Sequence, residues 1–521
     1  MPGLHGTATL GDIVTSALRR FPDRVAFRCD GREMTYRQTE DALARWVAVL
    51  IDRGLRPGEG VGLLSPNRPE AWLAQAAPAM AGGRYTALHP LGSLEDHLYA
   101  CDEAELRFLF VDPHFGDRAT ELLERSGVVE AVFTFGPSDA GEDIHALAER
   151  VSLDGPLGPG PHGPDDLCFL LYTGGTTGVP KAAMLSERAV AAMAYGTALG
   201  WDLPQGITYL AVAPISHAAG MLIVPALMRG GTVVLQPRFD PGAWLAGVAA
   251  ERATVSLLVP TMIYALLDHP DLDSTDLSSL EAVIYGASPI SPSRLAEGLE
   301  RIGPVFCQLY GQTESAGQGT SLWRAHHDPS DLERLTSCGT PMPFTRVTLL
   351  DESGEPVPDG TPAEICIQGA SVMDGYWKQP ELTAATLADG WLHTGDIGVR
   401  DGDGFFYVVD RKKDMIVSGG FNVFPREVED TLARHPAVSA TAVIGVPDDR
   451  WGEAVKALVV LRSGAQVDAA ELIAFVREHK GPVYAPKSVD FLDSLPVTPV
   501  GKADKKTLRA RYWQGRERHV G

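Results

Sequence analysis

Short apolar runs alternate with helix-length segments through the first two thirds of the chain. Leu43, Val47, Leu50 and Ile51 share one face of a predicted helix over residues 39–51, and Gly54 is placed to end it. The runs at 60–64 and 106–111 predict strands, with a helix over 70–80 between them. This alternation predicts doubly wound α/β layers.

The same alternation continues further along the chain. Five more runs predict strands, at 209–214, 231–236, 253–259, 282–285 and 305–309. Several of them end in polar or glycine-containing turns, at the ends where open α/β sheets bind ligands. Between the two parts of the pattern, residues 136–166 are rich in Gly, Pro, Asp and Ser and predict a surface connection.

The final third of the chain has a different pattern. Short strands predicted at 346–350, 363–368 and 404–409 form a β-rich section with Asp/Gly turns between them. After the charged residues 410–414, the pattern predicts a helix at 425–435, strands at 438–446 and 456–461, and a helix at 468–479. We therefore expect a large α/β domain, residues 1–412, with doubly wound sheets and a β-rich subdomain, followed by a small α+β domain, residues 413–521.

The composition of the chain indicates which kinds of molecule it binds and where it is located. The 521 residues carry a formal net charge of -22, which argues against nucleic acid or an anionic membrane as the ligand. The six cysteines are scattered without a CxxC pair, which favours reduced thiols. The first ten residues do not resemble a signal peptide, and no apolar run is long enough to span a membrane. These features predict a cytoplasmic protein that binds small molecules.

Residues 172–181 carry the strongest candidate chemistry. Three glycines allow close approach of the backbone to an anion, three threonines add hydroxyl donors, and Lys181 adds a point charge. The apolar run 167–171 predicts a buried parallel strand before this segment, and Ser186 is placed to cap a following helix that extends to residue 199. Strand, glycine loop and helix together predict a phosphate site. Because Val179 and Pro180 follow Gly178, the segment is not a P-loop of the Walker A type.

Five segments in order resemble the motifs of one superfamily. They are residues 172–181 (Tyr-Thr-Gly-Gly-Thr-Thr-Gly-Val-Pro-Lys), 310–314 (Tyr-Gly-Gln-Thr-Glu), 391–396 (Trp-Leu-His-Thr-Gly-Asp), 410–414 (Asp-Arg-Lys-Lys-Asp) and 496–502 (Pro-Val-Thr-Pro-Val-Gly-Lys). Together they resemble the adenylate-forming superfamily of acyl-CoA synthetases, peptide-synthetase adenylation domains and luciferases, over residues 10–509. The resemblance implies a mobile C-terminal domain and two half-reactions. A carboxylate first attacks MgATP to give acyl-AMP and pyrophosphate, and the thiol of coenzyme A then displaces AMP.

The resemblance also implies roles for individual residues in the chemistry. Lys502 would bridge the carboxylate and the α-phosphate, and Thr176 and Glu314 would lie on the magnesium side. Tyr310 would offer a face to adenine, and Asp396 would accept from the ribose hydroxyls with help from Arg411. The ATP and AMP contacts implied in this way are Thr173, Gly174, Gly175, Thr176, Thr177, Gly178, Lys181, Gly286, Ala287, Ser288, Tyr310, Gly311, Gln312, Thr313, Asp396, Arg411 and Lys502.

Further roles concern the acyl group, the thiol and the hinge. Lys413 occupies the hinge position, and Ser418, Gly419 and Gly420 would line the pantetheine path. His217 would contact the substrate or gate the site rather than act as a general base. The acyl pocket would be formed by His217, Ala218, Gly286 and Gly311. The small residues here, with Ala219 and Gly220, predict a wide apolar pocket for an aryl, alicyclic, terpenoid or medium-chain acid.

The chain departs from the superfamily pattern at two positions. Gly174 stands where Ser or Thr is more frequent, and Ala182 where Gly often follows the lysine. No acid lies near His217 to hold a substrate ammonium group, and the chain length leaves no room for an attached carrier domain. These features favour a stand-alone acid:CoA ligase. Transfer to a carrier-protein phosphopantetheine, oxidative luciferase-like activity, a non-catalytic ATP-binding regulator and a homo-oligomeric state all remain open.

Overall fold

The structure is a computed structural model that describes residues 8–153, 155–173, 181–411, 414–418, 421–448, 451–497 and 503–513. No helix in these ranges is both long enough and apolar enough to cross a lipid bilayer. All six cysteines are unpaired, five of them buried and Cys29 partly buried.

The elements alternate between strand and helix through the first part of the chain. The first are α1 (Leu10–Arg20), β1 (Val25–Cys29), β2 (Arg32–Thr35), α2 (Tyr36–Asp52), β3 (Gly60–Leu64), α3 (Pro69–Met80), β4 (Arg84–Ala87), α4 (Leu94–Glu103), β5 (Leu106–Val111), α5 (Gly116–Arg125), β6 (Ala131–Thr134), β7 (Glu142–Asp143) and α6 (Ile144–Arg150). The next are β8 (Leu167–Thr173), β9 (Lys181–Ser186), α7 (Glu187–Gly200), β10 (Thr208–Ala211), α8 (Ile223–Met228), β11 (Thr232–Leu235), α9 (Pro241–Glu251), β12 (Val255–Leu258), α10 (Pro260–Leu267), β13 (Ala282–Gly286), α11 (Pro292–Arg301), β14 (Phe306–Tyr310), β15 (Thr320–Leu322) and β16 (Thr340–Pro341).

Short strands predominate in the remaining third. They begin with β17 (Thr345–Leu350), β18 (Ala363–Gly369), β19 (Gly375–Tyr376), α12 (Pro380–Thr386), β20 (Leu387–Ala388), β21 (Trp391–Arg400) and β22 (Phe406–Arg411). The last elements are β23 (Ile416–Ser418), β24 (Phe421–Val423), α13 (Pro425–Ala433), β25 (Val438–Asp448), β26 (Gly452–Leu461), α14 (Ala469–Lys480), β27 (Ser488–Phe491) and α15 (Lys505–Ala510).

Two large sheets form the first part of the molecule. Among the described residues, the first sheet has the order β16-β15-β14-β13-β12-β10-β11-β1-β2, and the second has the order β19-β9-β8-β4-β3-β5-β6-β7. The neighbours from β14 to β1 and from β8 to β7 pair in parallel, whereas the outer strands β2, β15, β16, β9 and β19 pair antiparallel. Mostly parallel sheets of this kind require helices on both faces.

The core is arranged in layers that follow from these sheets. The largest cluster lies between them and joins Phe27 of β1 and Tyr209 of β10 to Val61 of β3 and Phe110 of β5. The outer face of the first sheet is covered by α9, α10 and α11, through residues such as Trp244, Leu266 and Leu295. The outer face of the second sheet is covered by α4 and α5, through Leu98 and Leu122. The expected doubly wound α/β layers are therefore confirmed.

Two smaller sheets follow. Strands β17, β18, β21, β20 and β22 form one antiparallel sheet. Strands β24, β23, β26, β25 and β27 form a second, mixed sheet, in which only β26 and β27 pair in parallel among the described strands. The second of these packs against α13 and α14 through a separate buried cluster that includes Ile416, Val428, Val455 and Leu472. The expected β-rich subdomain and small α+β unit are thus confirmed as elements of the fold.

The structure corrects three local expectations. Ile51 is 55% exposed, because it lies about 100° around α2 from the buried Leu50. The connection at 136–166 is not wholly irregular, since it contains β7 and α6. No helix directly follows the glycine-rich segment, because residues 181–186 form β9, which pairs antiparallel with β8. Ser186 does precede α7, but its hydroxyl makes no capping hydrogen bond.

Candidate active site

The glycine-rich segment joins two paired strands at one edge of the second sheet. Thr173, at the end of β8, lies directly opposite Lys181, at the start of β9. The hydroxyl groups of Tyr172 and Thr173 are buried and have no hydrogen-bond partner among the described residues. The two side chains point to opposite faces of β8, and Tyr172 packs against Tyr99 in the outer cluster. A buried hydroxyl without a partner is costly, and a phosphate oxygen is an acceptor that suits the Thr173 hydroxyl. The end of β8 therefore fits a phosphate ligand.

Lys181 contacts two residues from elsewhere in the chain. Its ammonium nitrogen lies 3.2 Å from Oε1 of Glu314, and it donates a hydrogen bond to the hydroxyl of Tyr376. The Tyr376 hydroxyl in turn donates to Oε1 of Glu314 at 2.7 Å, and the ammonium nitrogen lies 4.1 Å from the centre of the Tyr376 ring. Burial, followed by the Glu314 charge, raises the pKa of Tyr376, so its hydroxyl remains a donor. We call Lys181, Glu314 and Tyr376 the phosphate-side cluster.

The phosphate-side cluster borders a cleft of about 360 Å³. Glu314 reaches it from a single turn of 3₁₀ helix, Thr313–Ser315, that follows β14. Glu314 thus comes from the first sheet, shortly after the carboxyl end of the parallel strand β14. Lys181 comes from the second sheet, at the start of β9 and beside the carboxyl end of the parallel strand β8. The cleft is lined by Lys181, Gln312, Glu314, Glu364, Tyr376, Ala385, Thr386, His393, Thr394 and Gly395.

Three further predicted residues meet beside this cleft. Oδ2 of Asp396, on β21, accepts hydrogen bonds from the Tyr310 hydroxyl at 2.8 Å and from Nε2 of Gln312 at 2.9 Å. Nε2 of Gln312 also donates to the carbonyl oxygen of Thr394 at 2.8 Å. Burial raises the pKa of Tyr310 well above its usual value, so its hydroxyl stays protonated. The structure therefore brings Tyr310, Gln312 and Asp396 together as the sequence predicts.

The glycines assigned to the acyl pocket have a different explanation in the structure. A Cβ atom on Gly286 would overlap the Leu309 carbonyl of the adjacent strand, and one on Gly311 would overlap the backbone of Gly317. Gly220 is likewise filled on its Cβ side by the Ile215 carbonyl. The missing side chains at these positions allow backbone segments to approach each other. Close backbone packing therefore accounts for these glycines, and their small size does not by itself indicate a wide pocket.

The other residues predicted near the adenine edge and the acyl group are also described. Ala287 follows β13 with φ +63°, a left-handed conformation, and turns the chain towards Ser288. Ala218 begins a 3₁₀ helix, Ala218–Leu222, that directly follows His217.

His217 lies against a second histidine. The ring centres of His217 and His89 are 5.1 Å apart, with the rings at 71° to each other. The His217 side chain reaches solvent, yet protein atoms surround it closely, and the resulting burial lowers its pKa to about 4. It is therefore neutral at pH 7. We call His89 and His217 the histidine pair.

The remaining predicted positions lie on the later strands or outside the described residues. Ser418 is buried at the end of β23, and its backbone pairs with Phe421 and Gly452. Arg411 pairs with Asp396 through the backbone of β22 and β21. The positions outside the described residues are Gly174, Gly175, Thr176, Thr177, Gly178, Lys413, Gly419, Gly420 and Lys502.

Sequence reasoning missed four polar residues of this region. Tyr376 is 195 positions from Lys181, and nothing in its local sequence signals the contact. Glu364 and His393 line the cleft as a pair, with Nδ1 of His393 3.2 Å from Oε2 of Glu364. His393 lies inside the motif at residues 391–396, so this motif could have indicated the pair from the sequence. The fourth residue is His89, whose neighbour Pro90 predicts only a turn.

The site fits a magnesium ion by the chemistry of its donors. Glu314 is a carboxylate, the hard oxygen ligand that Mg²⁺ prefers, and it lies at the edge of a polar cleft. Its present partner, Lys181, is a group that can transfer to a phosphate oxygen when a nucleotide binds.

Comparisons with known proteins agree with this geometry. Residues 14–377 match the family model of the AMP-binding enzymes, and residues 427–502 match that of the AMP-binding enzyme C-terminal domain. A medium/long-chain-fatty-acid–CoA ligase of Mycobacterium tuberculosis is 45% identical, over 98% of this chain and 91% of the relative. A feruloyl-CoA synthase of an Amycolatopsis species is 41% identical, over 96% and 99% of the two chains.

A solved structure gives the same result for the fold. The amide bond synthetase McbA from Marinactinospora thermotolerans superimposes with a TM-score of 0.89 at 35% identity, over 96% of this chain and 99% of that one. The resemblance drawn from five short motifs is confirmed by matches over nearly the whole chain. The chain belongs to the AMP-binding enzyme family.

Proposed function

We propose that the protein converts bulky hydrophobic carboxylic acids into their CoA thioesters through an acyl-AMP intermediate. It is an ATP-dependent acid:CoA ligase that uses ATP, Mg²⁺ and coenzyme A, as expected from the sequence and as its relatives' names indicate. The observation that carries the proposal is the Lys181–Glu314 contact at the cleft, with Asp396 held beside it.

In the first half-reaction, a carboxylate oxygen of the acid attacks the α-phosphorus of ATP. The bond from this phosphorus to the bridging oxygen breaks, and pyrophosphate leaves with the electron pair. Both reactants are anionic, so the site must supply positive charge and position them. Lys181 exchanges Glu314 for the β- and γ-phosphates, assisted by the hydroxyls of Thr173, Thr176 and Thr177. Lys502 bridges the carboxylate and the α-phosphate, where charge develops in the transition state.

The nucleotide is oriented by the residues beside the cleft. Tyr310 packs against adenine along the edge formed by Gly286, Ala287 and Ser288. Asp396 is already held by the Tyr310 hydroxyl and by Gln312, and it accepts from the ribose hydroxyls. Glu314 and Thr176 would hold Mg²⁺, which supplies charge neutralisation of the phosphates when it is bound.

In the second half-reaction, the CoA sulfur attacks the acyl carbonyl carbon, and AMP leaves with the electron pair of the broken C–O bond. Ser418, Gly419 and Gly420 line the pantetheine path, and Lys413 is the hinge that exchanges the two active arrangements. We place the domain boundary between residues 412 and 413. In support, β22 ends at Arg411 in one sheet, β23 begins at Ile416 in another, and the two family models match either side.

The acid is proposed to be aryl, alicyclic, terpenoid or medium-chain. The names of relatives support this range, since they include feruloyl-CoA synthase, medium/long-chain-fatty-acid–CoA ligase and a ligase for a methyl-dioxo-octahydro-indenyl propanoate, the last from Rhodococcus jostii. His217 and Ala218 contact the acyl group in this proposal. The glycines do not by themselves support a wide pocket, because backbone fills the Cβ side of Gly286 and Gly311.

A panel of acids with ATP and Mg²⁺, with and without CoA, tests the proposal. Pyrophosphate release that depends on the acid, followed by mass identification of acyl-AMP and then acyl-CoA, is the expected result. Acetate should be used less efficiently than the larger acids. Acid-dependent pyrophosphate release without acyl-CoA would contradict the CoA acceptor and direct attention to a carrier protein or an amine. ATP binding without any pyrophosphate release would contradict the enzyme itself.

The sequence also supports proposals for the compartment and the partners of the protein, and its oligomeric state can be measured. The cytoplasm is the proposed compartment, which cell fractionation tests. A small-molecule acid, ATP and CoA are the proposed partners, and light scattering of the purified protein decides between a monomer and a homo-oligomer.

A further inference from the structure

His89 lies where the two large sheets meet. It follows β4 of the second sheet by two residues, and His217 follows β10 of the first sheet. Their ring contact therefore bridges the carboxyl ends of strands from both sheets. Such ends are where α/β folds bind ligands.

The imidazole of His89 is fixed in one tautomer. The backbone N–H of Leu91 donates to Nδ1 of His89 at 3.1 Å, so Nδ1 is unprotonated. Burial lowers the pKa of His89, so the ring is neutral at pH 7 and carries its proton on Nε2. Around it, Nε2 of His97 lies 2.8 Å from the His89 carbonyl oxygen, and Arg118 lies 2.9 Å from Nδ1 of His97. These contacts hold the backbone of His89 in place.

The remaining nitrogen of His89 is a donor without an acceptor. Nε2 is buried, and no described residue forms a hydrogen bond with it. Buried donors in native proteins are almost always paired, so an orphan needs a reason. Leaving it unpaired weakens the fold unless a ligand completes the bond.

We propose that Nε2–H of His89 donates a hydrogen bond to a neutral oxygen of the acyl chain, so the preferred acids carry a carbonyl, ether or hydroxyl group within an otherwise apolar body. This inference rests on the proposed acid activation and names its substrate class more narrowly. A neutral ring offers no net charge to a carboxylate, and the carboxylate itself is drawn to the lysines. The proposal requires the exposed His217 side chain, which contacts the His89 ring, to move so that the oxygen can reach His89.

The test compares decanoate with a series of oxodecanoates whose carbonyl lies at successive carbons. Pyrophosphate release is measured without CoA, which isolates the acid from the amide oxygens of pantetheine. The wild-type protein is expected to use at least one oxodecanoate with a kcat/KM about 3- to 10-fold above that of decanoate, the value of one neutral hydrogen bond. His89→Phe keeps an aromatic edge against His217 but has no donor, so it should abolish this preference and leave decanoate unchanged.

Two further variants control for the loss of the N–H donor and for the replacement of a histidine as such. His89→Gln retains an N–H donor and should restore part of the preference. His114→Phe replaces an exposed histidine that also contacts an aromatic ring, that of Phe115 at 5.3 Å, and should change neither acid. Melting temperatures of all variants show whether each is folded.

Other results would overturn the inference. An equal loss with decanoate and every oxodecanoate in His89→Phe would mean that His89 only positions His217. If the wild-type protein prefers no oxodecanoate over decanoate, Nε2–H of His89 does not bind an oxygen of the acyl chain. A defect that appears only on addition of CoA, alike for all acids, would place the acceptor on pantetheine. Failure of every acid, decanoate included, would instead contradict the proposed function.

Discussion

The phosphate-side cluster and the histidine pair each bridge the two large sheets, but they do so with opposite electrostatics. Lys181 of the second sheet meets Glu314 at the end of the first through an ion pair at 3.2 Å. His89 and His217 bridge the same two sheets through an edge contact between two neutral rings. We call the Lys181–Glu314 contact the charged bridge, and its two groups pair with each other. The contact in the histidine pair is neutral, and Nε2 of His89 has no hydrogen-bond partner among the described residues.

This difference bears on what each region can do. An ion pair can be exchanged for a phosphate and a metal ion without leaving a charge buried alone. The charged bridge is therefore suited to steps common to every acid, since ATP is the same in each reaction. A neutral donor distinguishes one acid from another only if that acid supplies an acceptor. We expect substitutions on the charged side to lower all rates alike, and substitutions at the histidine pair to change their ratios.

The largest effect is expected at Lys502, which lies outside the described residues and is proposed to act on the anionic reactants. Lys502→Ala should lower the adenylation rate by about 10²- to 10³-fold with every acid, because a positive donor to the transition state is removed. Thioester formation from supplied acyl-AMP should suffer less. Lys506→Ala, at an exposed position of α15, is the matched control. Equal loss of both half-reactions, or a loss confined to some acids, would contradict this division.

Much of the fold could be predicted because burial on both sheet faces leaves a clear mark on the sequence. The predicted strands 60–64 and 106–111 coincide with β3 and β5, which are nearly continuous apolar runs. Strand β9 was missed because Lys-Ala-Ala-Met-Leu-Ser has little β-propensity of its own. It becomes a strand through pairing with β8, a tertiary effect that a local pattern does not carry.

The residues of the candidate site also fall into those that the sequence could predict and those that it could not. Tyr310, Gln312 and Asp396 lie in motifs, so their meeting could be expected before the structure. Tyr376 and His89 could not be found in this manner. Their importance lies in contacts with residues far along the chain, Lys181 and His217. The glycines were a poor guide to the width of the acyl pocket, because a glycine can allow two backbone segments to approach as well as leave a pocket open.

The second-largest effect is expected at Glu314, the carboxylate that is proposed to hold Mg²⁺. Glu314→Gln keeps the size of the side chain but removes its charge. We expect the apparent Mg²⁺ affinity to fall about 10- to 100-fold, with the same factor for every acid. Titration of pyrophosphate release with Mg²⁺ at saturating ATP measures it. Glu381→Gln, on the exposed side of α12, should behave as the wild type does. An unchanged Mg²⁺ requirement would mean that Glu314 serves only as the partner of Lys181.

A smaller effect is expected at Tyr376, which holds the two charges of the bridge together. Tyr376→Phe removes the donor to Glu314 while retaining the ring beneath the Lys181 ammonium. A hydrogen bond to a charged group is worth about 1.5–3 kcal/mol, so we expect about a tenfold rise in KM for ATP with little change in acid preference. Tyr407→Phe removes a similar hydroxyl donor, to Asp401 at 3.0 Å, and is the control. A change in kcat alone would contradict a role in nucleotide binding.

The smallest effect is expected at His327, a buried histidine outside the histidine pair. Nδ1 of His327 lies 3.0 Å from the Trp323 carbonyl oxygen and therefore donates to it, while Nε2 accepts from the Tyr285 hydroxyl at 3.0 Å. Unlike His89, it has both nitrogens paired, so its replacement should alter stability without altering acid preference. Burial lowers the pKa of His327 to about 4, below the usual value near 6.5.

Between these two pH values the unfolded chain binds a proton that the folded chain does not, so stability rises with pH and falls on acidification. His327→Gln should therefore lower the melting temperature at pH 7.5 but reduce its decline towards pH 5, by about 1–3 °C. Melting curves of this variant and of His114→Gln, measured across that range, test the expectation. A decline as steep as that of the wild type would show that His327 is not the titrating group, and altered acid ratios would contradict the contrast with His89. The contrast matters because it separates two uses of a neutral buried imidazole: one completed within the fold, and one left for the substrate to complete.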